Sequence, residues 1–328
     1  MIPEFWLDRP YYSLDAYCKK QYGSKVYKIA LDAGLTCPNR DGTLGNRGCI
    51  FCSAGGSGDF AVKPMDSVAD QLKAGREMFG KKKTGDRFIA YFQAYTNTYG
   101  KTEYLSEIYE EALKQPYIVG ISIATRPDCL PNDVLDLLVT LKKRYPSKDI
   151  WVELGLQTIH DTTAAYIRRG YKLEVFDAAV AKLKAINIPV IVHVILGLPG
   201  ENPNMVLETI HYLNRLSIFG IKLQLLHVLK ETDLATDYLA GKFETLSKEE
   251  YMSLLITCLK ALSPQIVVHR LTGDGPKDLL IAPTWSLYKR DFFNTLHRHL
   301  KQTKEYQGQD YSEEKHGVYC FSGIPDTL

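Results

Sequence analysis

The chain has no apolar run approaching the roughly 20 residues that a membrane-spanning helix needs. Its first residues, Met1-Ile2-Pro3-Glu4-Phe5-Trp6, lack the charged-then-apolar layout of a signal peptide. These two absences predict a cytoplasmic protein with no membrane partner. An excess of one charge is also missing: 40 Lys and Arg oppose 38 Asp and Glu, a net +2 over 328 residues. That balance excludes polyanion binding over the whole surface, so any nucleic-acid site must be a local patch. Nor is there an even set of regularly spaced cysteines. The seven present, at 18, 37, 49, 52, 129, 258 and 320, form one tight group and four scattered members. Such usage speaks for thiol chemistry and against a disulfide scaffold.

With 45% hydrophobic residues, a chain of this length can bury a substantial core. Between Lys25 and Val228, apolar runs of strand length alternate with amphipathic stretches of helix length, the pattern of βα units around a parallel sheet. Strands are predicted at Val26–Leu31, Arg87–Phe92, Ile118–Ala124, Ile150–Gln157, Pro189–Leu196 and Ile221–Val228, and helices over about 66–79, 102–114, 132–144, 174–187 and 203–217. Six such repeats favour an α/β fold of the barrel type, a partial (β/α)6 barrel, over a small doubly wound sheet. In a barrel, catalytic groups collect where strands end. The unusual residues fall there: a cysteine loop after the first strand, Gln93–Thr98 after the second, Thr125-Arg126-Pro127-Asp128 after the third and Gly197-Leu198-Pro199-Gly200 after the fifth. Beyond about residue 230 the pattern changes to a helix near Ser247–Leu262, a short strand at Ile266–Arg270 and a polar, basic tail without a long apolar period. The expected division is therefore an N-terminal extension (1–24), a core barrel (25–230) and an appended C-terminal region (231–328).

Eleven residues separate Cys37 from Cys49, and two separate Cys49 from Cys52, on a Gly-rich loop. Three thiols so placed invite a metal. A structural zinc normally takes four protein ligands, and no His or fourth Cys lies in the loop. Three thiolates can instead hold three irons of a four-iron cluster and leave the fourth open for a substrate ligand. An incomplete zinc site and buried free thiols stay open on spacing alone.

At these residues the chain resembles the radical S-adenosylmethionine superfamily, whose signature ends in Cys, any residue, an aromatic, Cys; here it reads Cys49-Ile50-Phe51-Cys52. The wide first gap resembles the branch of the Elp3-like proteins. The resemblance implies a radical SAM type of partial barrel with a 4Fe-4S cluster on Cys37, Cys49 and Cys52. Its open iron would chelate S-adenosyl-L-methionine, and reductive cleavage would give a 5′-deoxyadenosyl radical. Phe51 would then pack near the adenine. Gln93, Ala94 and Tyr95 stand where the family has a Gly-Gly-Glu motif whose backbone receives the methionine amino group. Gln157 and Arg169 match a cofactor-contacting pair, the guanidinium being suited to fork onto the methionine carboxylate. Thr125 belongs to the strand-end residues implied at the cofactor. His193 and Gly197 match a ribose- and adenine-contacting strand, although a lone His in an apolar strand is more often a satisfied core residue.

Over nearly the whole chain the resemblance is to the YtqA/YhcC-type group. It is carried by Tyr27-Lys28-Ile29-Ala30-Leu31-Asp32, Thr36-Cys37-Pro38-Asn39-Arg40-Asp41-Gly42, Phe92-Gln93-Ala94-Tyr95-Thr96-Asn97-Thr98-Tyr99 and His269-Arg270-Leu271-Thr272-Gly273-Asp274-Gly275-Pro276. The MnmL proteins of this group imply a transfer-RNA substrate: conversion of the carboxymethylaminomethyl side chain of the wobble uridine to aminomethyl. They also imply a reducing electron donor of flavodoxin or ferredoxin type. Lys81-Lys82-Lys83, and a tail carrying Lys289, Arg290, His297, Arg298, His299, Lys301 and Lys304 beside Trp285, Tyr288, Phe292 and Phe293, suit phosphate contacts and base stacking. Charged runs are also commonly plain solvated faces, with the aromatics in the core. Two other readings stand beside this one: a radical enzyme acting on a small molecule or protein, and a zinc-stabilised binding protein without catalysis.

Overall fold

The computed structural model describes residues 2–7, 9–56, 58–61, 67–79 and 85–312. The strands are β1 (Val26–Leu31), β2 (Arg87–Phe92), β3 (Ile118–Thr125), β4 (Asp149–Gln157), β5 (Val190–Leu196), β6 (Gly220–Leu225), β7 (Val228–Leu229), β8 (Val267–Arg270) and β9 (Leu280–Ala282). The helices are α1 (Leu14–Tyr22), α2 (Val68–Phe79), α3 (Thr102–Leu113), α4 (Asn132–Arg144), α5 (Asp161–Tyr166), α6 (Leu173–Ala185), α7 (Pro203–Arg215), α8 (Asp233–Leu239), α9 (Lys248–Ala261) and α10 (Lys289–Thr303). Seven strands form one sheet in the order β1-β2-β3-β4-β5-β6-β8, and every neighbouring pair is parallel. The sheet curls into a half-barrel with helices outside, a partial barrel as the alternating pattern predicts. No helix among the described residues is long and apolar enough to cross a membrane.

Strand alternation sorts side chains to the two faces. On the convex face, Ala90, Phe92, Val152, Leu154, Val192 and Val194 join the main core beneath the helices. On the concave face the lower layer is apolar: Ile89, Trp151 and Ile191 pack together, with Tyr17 of α1 and Phe219 against them. Two residues further along the same strands, that face turns polar with Tyr91, Glu153 and His193. The site therefore stands on a closed hydrophobic floor.

Three features depart from the sequence pattern. The predicted strand Ile221–Val228 stops at Leu225. Val228 and Leu229 leave the sheet and pair antiparallel with β9, beyond the stretch Gly220–Lys222 along which β8 pairs with β6. The chain beyond residue 230 supplies that β8 edge, while Tyr251, Leu255 and Leu259 of α9 enter the main core. The tail expected to lack an apolar period forms the 15-residue α10. Phe292, Leu296 and Leu300, spaced by four, are its buried stripe among basic neighbours. Lys81-Lys82-Lys83 and Cys320 lie outside the described residues.

Candidate functional site

The cysteine loop is braced by its own backbone. Leu44 N and Gly45 N donate to Pro38 O, and Gly48 N donates to Asn39 O at 2.7 Å. Gly48 has φ +73°, and a Cβ there would approach the Arg40 guanidinium to 3.0 Å. Arg40 in turn donates through Nη2 to Cys52 O at 2.9 Å and to Ser53 O. A second tie runs to the turn after α5: Ile50 N donates to Ile167 O, and Asn39 Nδ2 donates to Arg168 O at 2.8 Å and lies 3.5 Å from Cys49 Sγ. Gly170, at φ +84°, allows that approach, since a Cβ would stand 2.8 Å from Asn39 Oδ1.

Cys37, Cys49 and Cys52 line one cleft at the barrel mouth, and each is half-buried. Burial, with Cys52 and Cys37 close by, pushes the Cys49 thiol up to about 12, so binding a cation here requires release of protons. Among the described residues, no three His, Cys, Asp or Glu side chains are placed to hold one metal ion. Cys18, Cys129 and Cys258 are buried thiols.

Phe51, Gln93, Tyr95, Thr125, Gln157, Arg169 and His193 line the same cleft. Ala94 and Gly197 do not appear in its lining. Ala94 is fully buried, with its carbonyl accepting from Asn97 Nδ2 at 3.0 Å, and Gly197 faces Leu246. Thr125 Oγ1 is bonded to Thr98 Oγ1. Tyr95 and Gln157 hold left-handed backbone at φ 61° and 67°, as does Arg168 at 55°. Gln157 sits where the β4–β5 register shifts. Non-glycine residues in this region each cost of order 1–3 kcal/mol, a strain that collects at functional sites.

Arg169 is 2% exposed. Its Nε donates to Tyr171 O, and its Nη1 to Leu156 O and Thr158 O, the latter at 2.6 Å. Only Nη2 has no partner. The two-pronged fork expected for this residue is therefore committed to holding the end of β4, and one amino group remains without a protein partner. Gln157 Oε1 is also buried and unpartnered. Arg126 is closed off by a bidentate pair with Asp128 at 2.9 and 2.7 Å.

Below these groups lies an ionic layer that sequence reasoning did not assign. Glu153, fully buried, accepts through Oε1 from Lys28 Nζ at 2.6 Å and from Ser122 Oγ. Its Oε2 takes His193 Nε2 at 2.6 Å and pairs with Lys222 Nζ, which also donates to Tyr91 Oη at 2.9 Å. Although burial alone would raise the Glu153 carboxyl, Lys222, Lys28 and His193 together hold it well below the usual carboxylate range. His193 is driven down to about 4 by burial and Lys222, so it is a neutral ring donating Nε2–H. Burial likewise depresses Lys222 to about 7. The available signal was a charged residue within each of four largely apolar strands, Lys28, Glu153, Lys222 and Arg270, with Asp149 as a second one at the first position of β4.

Residues 42–213 match the Radical SAM superfamily and residues 218–302 match the Radical_SAM C-terminal domain. The chain belongs to the radical SAM superfamily. It is similar to protein YtqA of Bacillus subtilis, at 43% identity over 92% of this chain and 93% of that protein. It is more distantly similar to the tRNA uridine(34) acetyltransferase of Methanocaldococcus jannaschii, at 24% identity over 62% of this chain and 34% of that protein. Among solved structures, the archaeal Methanocaldococcus infernus Elp3 shares the fold with a TM-score of 0.65 and 17% identity, covering 87% of this chain and 64% of that one.

Proposed function

We propose that this protein is a cytoplasmic radical enzyme that modifies the wobble uridine of transfer RNA, converting a carboxymethylaminomethyl side chain to aminomethyl. The observation that carries the radical part is the cleft in which three thiols meet two buried, unpartnered polar atoms, Gln157 Oε1 and Arg169 Nη2. Cys37, Cys49 and Cys52 would hold a 4Fe-4S cluster, and Gln157, Arg169 and the Gln93–Tyr95 backbone would position S-adenosyl-L-methionine beside it. Reduced by a flavodoxin- or ferredoxin-type donor, that pair supplies a 5′-deoxyadenosyl radical. Abstraction of a hydrogen atom from the carbon between the secondary amine and the carboxylate, followed by return of one electron to the cluster, would leave an imine, whose hydrolysis would free the aminomethyl group and release the two-carbon arm as glyoxylate. Phe51 would shield the adenine side of the cleft, and the closed floor of Ile89, Trp151 and Ile191 keeps water out from below.

The RNA part is supported by the similarity to a protein named for its action on tRNA uridine 34 and by α10. Arg290, Arg298 and Lys301 are exposed, lie on one side of that helix by their spacing, and have no ion-pair partner among the described residues. Not all of the expected patch is free for phosphate or base. Lys289 pairs with Asp274 at 2.7 Å, His299 with Glu305, and His297 bonds Tyr11 Oη. Phe292 is core, Trp285 and Phe293 pack against it, and Tyr288, 72% exposed, remains available for stacking. A uridine would leave the anticodon stack to reach the cleft.

The test is anaerobic incubation of reconstituted protein, S-adenosyl-L-methionine and reductant with transfer RNA from cells lacking the gene, followed by nucleoside analysis. Loss of the carboxymethylaminomethyl nucleoside with matching 5′-deoxyadenosine is expected. Cofactor cleavage with no change in any nucleoside would transfer the reading to a small-molecule or protein substrate.

A further inference from the structure

A second cavity adjoins the cofactor cleft. Phe51, Cys52, Gln93, Gln157, His193, Gln224 and Arg270 line both. The second is otherwise walled by Ser53, Asp59 and Phe60 after the cysteine loop, by Ile195, and by the end of β6 and the segment after β8, including His227, Gly273 and Asp274; the Asp59 carboxylate is turned to Ser53, whose Oγ donates to its Oδ2 at 2.8 Å. Cys37, Cys49, Thr125 and Arg169 line only the first. The two cavities thus share a frontier, with Cys37 and Cys49 on one side, Cys52 on the frontier itself and the C-terminal strands on the other.

Arg270 stands on that frontier. Gly155, His193, Lys222 and Arg270 form one register row across β4, β5, β6 and β8, which fixes Arg270 at the level of the ionic layer. The carboxylate of that layer, Glu153, is already saturated by Lys28, Ser122, His193 and Lys222. Asp274, the acidic group in the second cavity wall nearest in sequence, is paired with Lys289. Of the other guanidiniums at the cleft besides Arg169, Arg126 is closed by Asp128 and Arg40 donates to Cys52 O and Ser53 O. Arg270 is half-buried, and among the described residues it has neither an ion pair nor a hydrogen bond. An arginine is charged at any working pH, and a partly desolvated charge without a partner is costly. Placed where two cavities meet, it is stored for an anion that arrives with a ligand.

We infer that Arg270 binds the carboxylate of the modified nucleoside, with the second cavity as the substrate chamber. This rests on the wobble-uridine reading above. The planar fork of a guanidinium matches a carboxylate bidentately, and Arg270 has both edges uncommitted, unlike Arg169. Gripping the carboxylate there would hold the carbon between it and the secondary amine at the frontier, toward Phe51 and Cys52. Lys289, tied to Asp274 at the chamber rim, begins α10, so the exposed Arg290, Arg298 and Lys301 lead away from the same chamber. With the nucleotide held by its carboxylate inside, the anticodon arm outside the chamber would run along α10, past those residues.

The experiment measures affinity in the reconstituted protein with S-adenosyl-L-methionine present. Three anticodon stem-loops are compared: one with 5-carboxymethylaminomethyluridine at the wobble position, one with its neutral carboxamide, and one with unmodified uridine. Wild-type protein should bind the acid about 10- to 100-fold more tightly than the amide, the range of a charge-assisted pair. In Arg270→Gln that ratio should collapse to about one, and Arg270→Lys should keep part of it. A structural role alone would weaken all three RNAs alike and leave the ratio intact, which would overturn the inference while sparing the wobble reading. An acid-to-amide ratio of one in wild type, or weaker S-adenosyl-L-methionine binding in Arg270→Gln with the RNA ratio unchanged, would overturn it equally. Should wild type fail to prefer either modified RNA over unmodified uridine, the wobble reading falls and this inference with it.

Discussion

Gln157 and Arg169 line the same cleft, and each carries one buried atom, Oε1 and Nη2, that no protein group among the described residues satisfies. A buried polar group without a partner costs about 1–3 kcal/mol, so each atom is left for a polar partner that the protein does not supply. Replacing Arg169 with Ala should weaken S-adenosyl-L-methionine binding about tenfold or more. It should also lower the melting temperature, because the carbonyls of Leu156, Thr158 and Tyr171 lose their donor. Calorimetric titration well below the melting point separates the two effects. A lower melting temperature with unchanged affinity would make Arg169 a brace for β4 and nothing more.

At Gln157 the backbone and side chain pull in opposite directions. Glycine tolerates φ 67° without strain, so Gln157→Gly should raise stability by about 1 kcal/mol while cofactor affinity falls. Chemical denaturation and a binding titration on one preparation check both signs. A destabilised variant would show that the side chain contributes more than its strained backbone costs.

Single replacement of Cys37, Cys49 or Cys52 by Ala should abolish iron and acid-labile sulfide in anaerobically reconstituted protein, since two thiolates cannot hold the assembly. Cys258, fully buried in the main core, serves as the contrast: Cys258→Ala should keep its iron and lose only a little stability. Full cluster content in Cys49→Ala would refute the ligand set.

The ionic layer makes stability depend on pH. Folded His193 protonates near 4, against about 6.5 in an unfolded chain. Between those values the unfolded state binds more protons, so this contribution is whole above pH 6.5 and is lost as pH falls to 4, by at most about 3 kcal/mol. Glu153, depressed well below its usual value by Lys222, Lys28 and His193, adds a loss of the same sign below about pH 4.5. Lys222, lowered to about 7, acts above this window. Urea denaturation from pH 7 to 4 should show the decline, and His193→Gln, which can still donate to Glu153 but cannot titrate, should flatten it. Equal slopes in both proteins would remove His193 as the cause.

Changing Arg290, Arg298 and Lys301 together to Glu should weaken binding of transfer RNA and reduce the slope of log affinity against log salt by roughly one for each phosphate that the protein no longer neutralises. The weakening should be similar for RNAs of different sequence, because groups that bind phosphate carry no base information. Unaltered salt dependence would place the RNA on another face.

Period and composition were enough to place β1 to β5, since each is a short apolar run bounded by turn residues, and the Cys49-Ile50-Phe51-Cys52 string marked the loop that carries the thiols. Other elements were hidden for physical reasons. The stripe Phe292, Leu296 and Leu300 is only three residues wide within a basic segment, so α10 owes its helix mainly to the core it meets. The end of β6 is set by its tertiary partners, because β5 pairs with it only as far as Leu225 and Val228 and Leu229 pair with β9 instead. The placing of Lys28, Glu153, Lys222 and Arg270 within largely apolar strands is visible in the sequence. Which of the four are mutually satisfied is not, since that depends on parallel register and on curvature bringing side chains of separate strands into hydrogen-bonding range. The sequence by itself thus determined the chemistry available, three thiols and a set of charged groups at strand ends. Only the tertiary structure decided how those groups are used, committing most of the Arg169 fork to backbone carbonyls and leaving Arg270 unpaired, because hydrogen-bond partners are assigned by space and not by order along the chain.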